Sequence, residues 1–229
     1  MRASRELSGL LWYNGLDMMG VPISDEVVHA AAEGVSTARD ALLAAVEPRV
    51  RLMVAARLSP RPEQFAAVDD ITQEVLLATM TGLRGLRIQT AAGLRAFIAA
   101  TARNKVADYI DGGRHAGIGG ATATVCLETT IHALSGAAPL WALLSSSGTT
   151  PSAAFERDEL AVRMLGELGR LPEHYRDIVT LAFFGGLTTR EIAADKGKER
   201  GAVAMMLLRA IRILRRQMTG SSRCGFVDG

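Results

Sequence analysis

Cysteines, aromatic residues and long apolar runs are all scarce in this chain, and each scarcity removes a class of protein. Among its 229 residues the only cysteines are Cys126 and Cys224, far apart, with no CxxC pair and no histidine at ligand spacing from either. Neither a disulfide framework nor a zinc site is indicated, and a reducing cytoplasm is the expected compartment. Aromatic residues make up 5% of the chain, whereas alanine, leucine, arginine and valine abound. That balance favours helices with small-residue contacts over sheets. No stretch approaches the roughly 20 uninterrupted apolar residues of a membrane span. Arg2 and Arg5 precede Leu7, Leu10, Leu11 and Trp12, but Asn14 and Asp17 cut that run too short for a signal peptide.

Groupings that would carry catalysis are missing too. His29, His115, His132 and His174 have no spacing that would gather them, no glycine-rich phosphate loop of the required form is present, and no serine, histidine and aspartate arrangement stands out. A binding protein without metal or cofactor is expected, not an enzyme.

What the chain does have is apolar content of 48%, ample for a buried core, and a local concentration of positive charge. The net charge is only +2, yet seven basic residues (Lys196, Lys198, Arg200, Arg209, Arg212, Arg215 and Arg216) face one acid, Glu199, between positions 196 and 216. Such a run is either a solvated helix face or a surface for phosphate, because attraction to a polyanion depends on local clustering.

Residues 117–154 differ from their surroundings: glycine, alanine, serine and threonine dominate, Glu128 is the single charge, and Pro139 and Pro151 interrupt any helix. This is read as a long flexible linker, either a tether or a segment lying in a partner's channel. The expected division is an N-terminal extension 1–30, a helical domain 31–116, the linker 117–154, a second helical domain 155–218 and a tail 219–229. The fold class is all-α, two small helical domains.

In the first domain Leu42, Leu43, Val46, Val50, Met53 and Val54 recur at helical spacing, with Pro48 marking a kink or a restart. Asp69 and Asp70 put negative charge at the start of a helix carrying Ile71, Val75, Leu76 and Met80. After Thr90, a plausible N-cap, an apolar stripe runs through Leu94, Phe97, Ile98, Thr101, Ala102, Lys105, Val106, Tyr109 and Ile110. Its other face shows Arg95, Arg103, Asn104 and Asp108, and Gly112 and Gly113 end it.

Four helices are expected in the second domain. Leu160, Met164, Leu165 and Leu168 form one stripe; Pro172 opens the next helix, which holds Ile178, Val179, Leu181 and Phe183 and stops at Gly185 and Gly186. Thr188 and Glu191 have capping-box spacing, and Gly197 breaks the helix they start. A longer one follows with Val203, Met206, Leu207, Ala210, Ile211 and Leu214 on one side. Two helices joined by a short glycine turn, the second basic, have the sequence shape of a DNA-binding helix-turn-helix.

Specific motifs resemble the sigma-70 family, in particular its minimal group, the extracytoplasmic-function sigma factors, over roughly residues 31–116 and 155–218. Asp70-Ile71-Thr72-Gln73-Glu74-Val75-Leu76 is similar to the family's D-L-V-Q-E-V-F stretch, which docks on the beta-prime subunit of RNA polymerase. The resemblance makes Asp70, Gln73, Glu74 and Leu77 candidates for polymerase contact. Phe97 to Tyr109, with Ala102-Arg103-Asn104 followed by Asp108-Tyr109, is similar to F/W-L-x-x-I-A-R-N-x-x-x-D-Y, the helix that meets the minus-ten element. Arg95, Arg103, Asn104, Lys105, Asp108 and Arg114 are therefore candidates for minus-ten DNA. Opening a promoter needs a base held out of the stack and cations along the strand, which donors and an acceptor of these types can supply. Asn104 and Asp108 would alternatively only stabilise the helix against its neighbours.

Leu171-Pro172-Glu173-His174-Tyr175-Arg176-Asp177-Ile178-Val179 resembles region 4.1 of the family, and Gly186-Leu187-Thr188-Thr189-Arg190-Glu191-Ile192-Ala193 resembles the start of its region 4.2 helix-turn-helix, which reads the minus-thirty-five element. The recognition helix would span about 200–216, with Arg200, Met205, Leu208, Arg209 and Arg212 as groove or phosphate contacts. Met205 and Leu208 would reach a thymine methyl or serve packing. The chain departs from the family around the turn glycine: Asp195, Lys196 and Lys198 stand where apolar residues are usual, Glu199 replaces a capping serine, and Ala204 and Met206 stand where lysine and arginine are common. The resemblance implies a cytoplasmic, nucleoid-associated sigma factor. It would bind the beta and beta-prime subunits of core polymerase and promoter DNA, with an anti-sigma factor as a further partner and no membrane. The alternatives are a stand-alone helix-turn-helix regulator, or a degenerate sigma-like interaction protein.

Overall fold

The protein was analysed as a computed structural model that describes residues 23–58, 65–85, 88, 90–111 and 154–220. The expected linker up to residue 153, Arg114, and the two chain ends (1–22 and 221–229) lie outside these residues. The described part is all-α, with no strand. Its first four helices are α1 (Asp25–Glu33), α2 (Ser36–Leu58), α3 (Phe65–Gly85) and α4 (Ala91–Asp111). After residue 153 come α5 (Ala154–Arg170), α6 (Glu173–Val179) continued by a π-helical turn (Thr180–Phe184), α7 (Thr189–Lys196) and α8 (Arg200–Gly220).

Local chemistry sets most helix ends. The Ser24 side chain accepts from the Val27 N–H, so α1 begins at Asp25, inside the stretch expected to be an N-terminal extension, and Val28 from it is fully buried. Thr90 caps α4 through the Gly93 N–H at 3.1 Å, while Asp25 Oδ1 accepts from the Ala91 N–H at 2.7 Å and ties α1 to the same end. Thr188 and Glu191 form the full capping box expected of them, at 3.2 and 2.7 Å. Gly197 closes α7 in the left-handed region, φ +58°.

Of the two readings of Pro48, a restart is ruled out, since α2 runs through it, and two further expectations are corrected. The helix carrying Asp69 and Asp70 starts at Phe65, one turn before them; Asp69 instead faces α2, where its Oδ1 accepts from Arg51 at 2.6 Å. Ile110 is 59% exposed and lies off the buried stripe, whereas Tyr109 beside it packs against the core.

The first four helices pack around α2, and the last four bring the π-helical turn and α5 against its other side. Residues 49–57 of α2 are in consequence all buried, arginines included, and one apolar cluster joins Val50, Leu52 and Met53 to Leu181, Phe183 and Phe184. Gly186 sits at the seam with φ +66°; a Cβ there would meet Arg49 Nη1 at 3.1 Å and Arg95 Cδ at 3.3 Å. A side chain is thus disfavoured by the backbone conformation and crowded by the two arginine side chains.

Candidate nucleic-acid interface

The outer side of α3 presents Asp70, Gln73, Glu74 and Leu77, all exposed at i, i+3, i+4 and i+7, so the four residues expected to contact polymerase share one face. Leu77, 70% exposed, is the large apolar side chain on this face. It lines an open groove with Ala78, Thr81, Gly82, Glu74 and Lys105. Lys105 reaches the groove from α4 and pairs with Glu74 at 2.9 Å. The hydrogen bond that Lys105 donates to Glu74, and the charge of that carboxylate, hold the Lys105 ammonium above its ordinary pKa. One member of the minus-ten set and one of the polymerase set are therefore in contact.

Along α4, Asn104 and Asp108 are exposed to solvent, so neither packs against a neighbouring helix. Arg95 and Arg103 are directed elsewhere. Arg95 Nη2 lies 3.4 Å from Glu191 Oε1, and Arg103 Nη1 lies 3.0 Å from Asp195 Oδ2, so both cross to α7.

On α8, Arg200, Met205, Arg209 and Arg212 are exposed. Positions 205, 209 and 212 follow one another at helical spacing and form a single outward strip. Leu208 is only 5% exposed, and of the two roles open to it this burial favours packing over base contact. Met205, 42% exposed, remains available to a partner.

Sequence patterning missed the charged groups inside the fold. Arg49, Arg51 and Arg57 are 5%, 4% and 9% exposed, on a helix whose apolar stripe gave no hint that its opposite side would also be covered. Burial, together with the nearby positive charge of Arg95, lowers the Arg49 guanidinium to about 10. Arg57 is lowered mainly by burial, with Asp177 opposing. Asp177 Oδ1 stands 3.4 Å from Arg57 Nη2, while its Oδ2 accepts from Lys196 Nζ at 2.7 Å. Burial raises the Asp177 carboxyl, but the Lys196 hydrogen bond and the charges of Arg57, Lys196 and Arg103 outweigh it and hold the group below 3.8. The only sequence signal for this node was the polar residues beside Gly197. Among the described residues no cluster of metal-ligating side chains occurs, and no helix is long and apolar enough to cross a membrane.

Comparison with known proteins places this architecture. Residues 162–214 match the family described as Sigma-70, region 4. The ECF RNA polymerase sigma factor ShbA of Streptomyces griseus is 32% identical over 191 residues, spanning 82% of this chain and 92% of ShbA. The ECF RNA polymerase sigma factor SigD of Mycobacterium tuberculosis is 30% identical over 197 residues, 86% of this chain and 84% of SigD. RpoE of Cereibacter sphaeroides, another ECF RNA polymerase sigma factor, is 35% identical over 65 residues, 28% of this chain and 36% of RpoE. The chain belongs to the extracytoplasmic-function group of the sigma-70 family, a family of transcription initiation factors.

Proposed function

We propose that this sigma factor binds core RNA polymerase, carries it to promoters and helps melt them, acting in the cytoplasm wherever the polymerase meets the chromosome. The observation that carries the reading is the division of labour around α3 and α4. The face of Asp70, Gln73, Glu74 and Leu77 offers an apolar contact ringed by charge, suited to a protein partner. Around the corner, Asn104 and Asp108 offer an amide and a carboxylate to base edges, with Arg103 and Lys105 beside them for the strand backbone. The outward strip of α8 adds Met205, Arg209 and Arg212, and the start of the helix adds Arg200, for duplex DNA upstream. A stand-alone regulator would account for α8 but leaves the exposed Leu77 face without a use.

The test is run-off transcription with bacterial core polymerase on a library of promoter fragments, together with co-elution of the two proteins in gel filtration. Replacing Arg103, Asn104 and Lys105 together by alanine is expected to abolish open-complex formation while the polymerase is still bound. Normal initiation by that variant would remove the assignment of α4.

A further inference from the structure

The outward side of α8 changes chemistry along its length. Residues 201–208 are all glycine, alanine, valine, methionine or leucine, so about two turns pass without a side-chain nitrogen or oxygen. Val203, Leu207 and Leu208 are buried and Met206 packs against the core, which leaves Gly201, Ala202 and Met205 facing outward. Of these three only Met205, 42% exposed, has the length to reach the floor of a groove. Charge returns on the same strip at Arg209 and Arg212, about 6 and 10 Å further along the axis, and Arg200 stands about 7–8 Å before Met205 at the helix start. We infer that Met205 is the specificity-determining residue of this helix and that it reads the 5-methyl group of a thymine in the major groove, while the arginines before and after it serve the phosphates. The inference deepens the proposed function and rests on it, since it needs α8 to lie in duplex DNA.

The chemistry of the groove carries the choice of base. Guanine, adenine and cytosine present hydrogen-bonding groups there, and thymine alone adds an apolar one, its methyl. A helix face without donors or acceptors leaves polar base edges unpaired on contact, which costs free energy, whereas a methyl against a thioether chain removes apolar surface of both from water. Methionine is unbranched and polarisable, so its tip can settle on a methyl without a fixed partner geometry. Two departures from the family act in the same direction: Ala204 and Met206 stand where lysine and arginine are common, and with them go the donors that would read purine edges. Gly201 is an independent observation. It lies one turn before Met205 on the same face, and a Cβ built there would meet nothing within 4 Å, so no packing contact requires a glycine. Glycine weakens a helix relative to alanine; here it leaves bare backbone beside Met205, which lets the helix approach a partner closely and carries the methionine tip deeper.

The test uses the holoenzyme of this chain with bacterial core polymerase, at fixed salt, on a promoter recovered from the run-off library. Deoxyuridine in place of each thymine of the upstream element, one at a time, removes a methyl group and nothing else. At one position wild-type holoenzyme is expected to lose about threefold to fivefold in promoter affinity. Met205→Ala should bind the thymine and deoxyuridine duplexes alike, and Met205→Leu should keep the discrimination. Cytosine paired with guanine at that position should weaken wild-type binding, and 5-methylcytosine should recover part of the loss. Circular dichroism and co-elution with core polymerase check that both variants fold and assemble. Three results each overturn the inference: no deoxyuridine substitution weakens wild-type binding, the loss is retained in full by Met205→Ala, or the active promoters share no thymine in the upstream element. Wild-type initiation accompanied by any of these leaves the proposed function standing and removes only the role of Met205, whereas no initiation on any fragment removes the proposed function and this role with it.

Discussion

Asp177 is the most sensitive single position in the seam, and the expected effect of neutralising it follows from its neighbours. Asp177→Asn keeps the volume but withdraws the carboxylate that pairs with Arg57, whose side chain is 7% exposed, and breaks the charge-assisted bond from Lys196. Lys196 keeps a second acid, Asp195, at 3.8 Å, whereas for Arg57 the charge of Asp195 is a weaker influence than that of Asp177. Removing one partner of a fully buried pair costs about 3–5 kcal/mol, and because Asp177 is itself 21% exposed we expect about 2–3 kcal/mol here. Arg57→Met takes away the other partner together with its unbonded nitrogens and leaves Asp177 with Lys196, so it is expected to fall within about 1 kcal/mol of wild type, on either side. Urea denaturation followed by circular dichroism at pH 7 reads the difference: the midpoint of Asp177→Asn should drop by about 1 M while that of Arg57→Met hardly moves. The pH dependence gives a second check. The folded carboxyl titrates below 3.8, so the unfolded chain takes up the proton first as acid is added. The Asp177 contribution is complete above about pH 4 and disappears as pH falls through the depressed folded value, where wild type and Asp177→Asn should converge. Equal losses for the two variants at pH 7, or a gap that persists in strong acid, would refute this account of the node.

Two neighbouring positions on α8 should separate packing from recognition: Leu208→Ala is expected to cost about 2–3 kcal/mol of stability in a thermal melt, because the leucine is 5% exposed, whereas Met205→Ala at 42% exposure should leave the melt unchanged and weaken duplex binding. On α3, Leu77→Asp should leave the melting temperature within about 1–2 °C of wild type, the side chain being 70% exposed, and reduce core-polymerase affinity at least about tenfold in a pull-down titration.

The helical class, the capping box at Thr188, the cap at Thr90 and the turn at Gly197 could all be read from the chain, because each rests on contacts between residues three or four apart. For the same reason the exposed face of Asp70, Gln73, Glu74 and Leu77 followed from helical spacing once the motif was recognised. The start of α3 at Phe65 was missed because two adjacent acids mimic an N-terminal turn, whereas Asp69 is held by Arg51 on another helix; that α2 continues through Pro48 without a restart reflects tertiary burial outweighing one lost backbone bond. The π-helical turn at 180–184 had no signal of its own.

Periodicity within the sequence thus determined which residues form helices and which side of each is apolar, since that information is local. Only tertiary packing decided that α2 would be covered on both sides, that Leu208 would turn inward beside an outward Met205, and that Arg95 and Arg103 would meet carboxylates almost a hundred positions away. Ion pairs of this kind leave no period in the sequence. They depend on where two separately formed groups of helices come to rest, and spacing along a single helix cannot encode that.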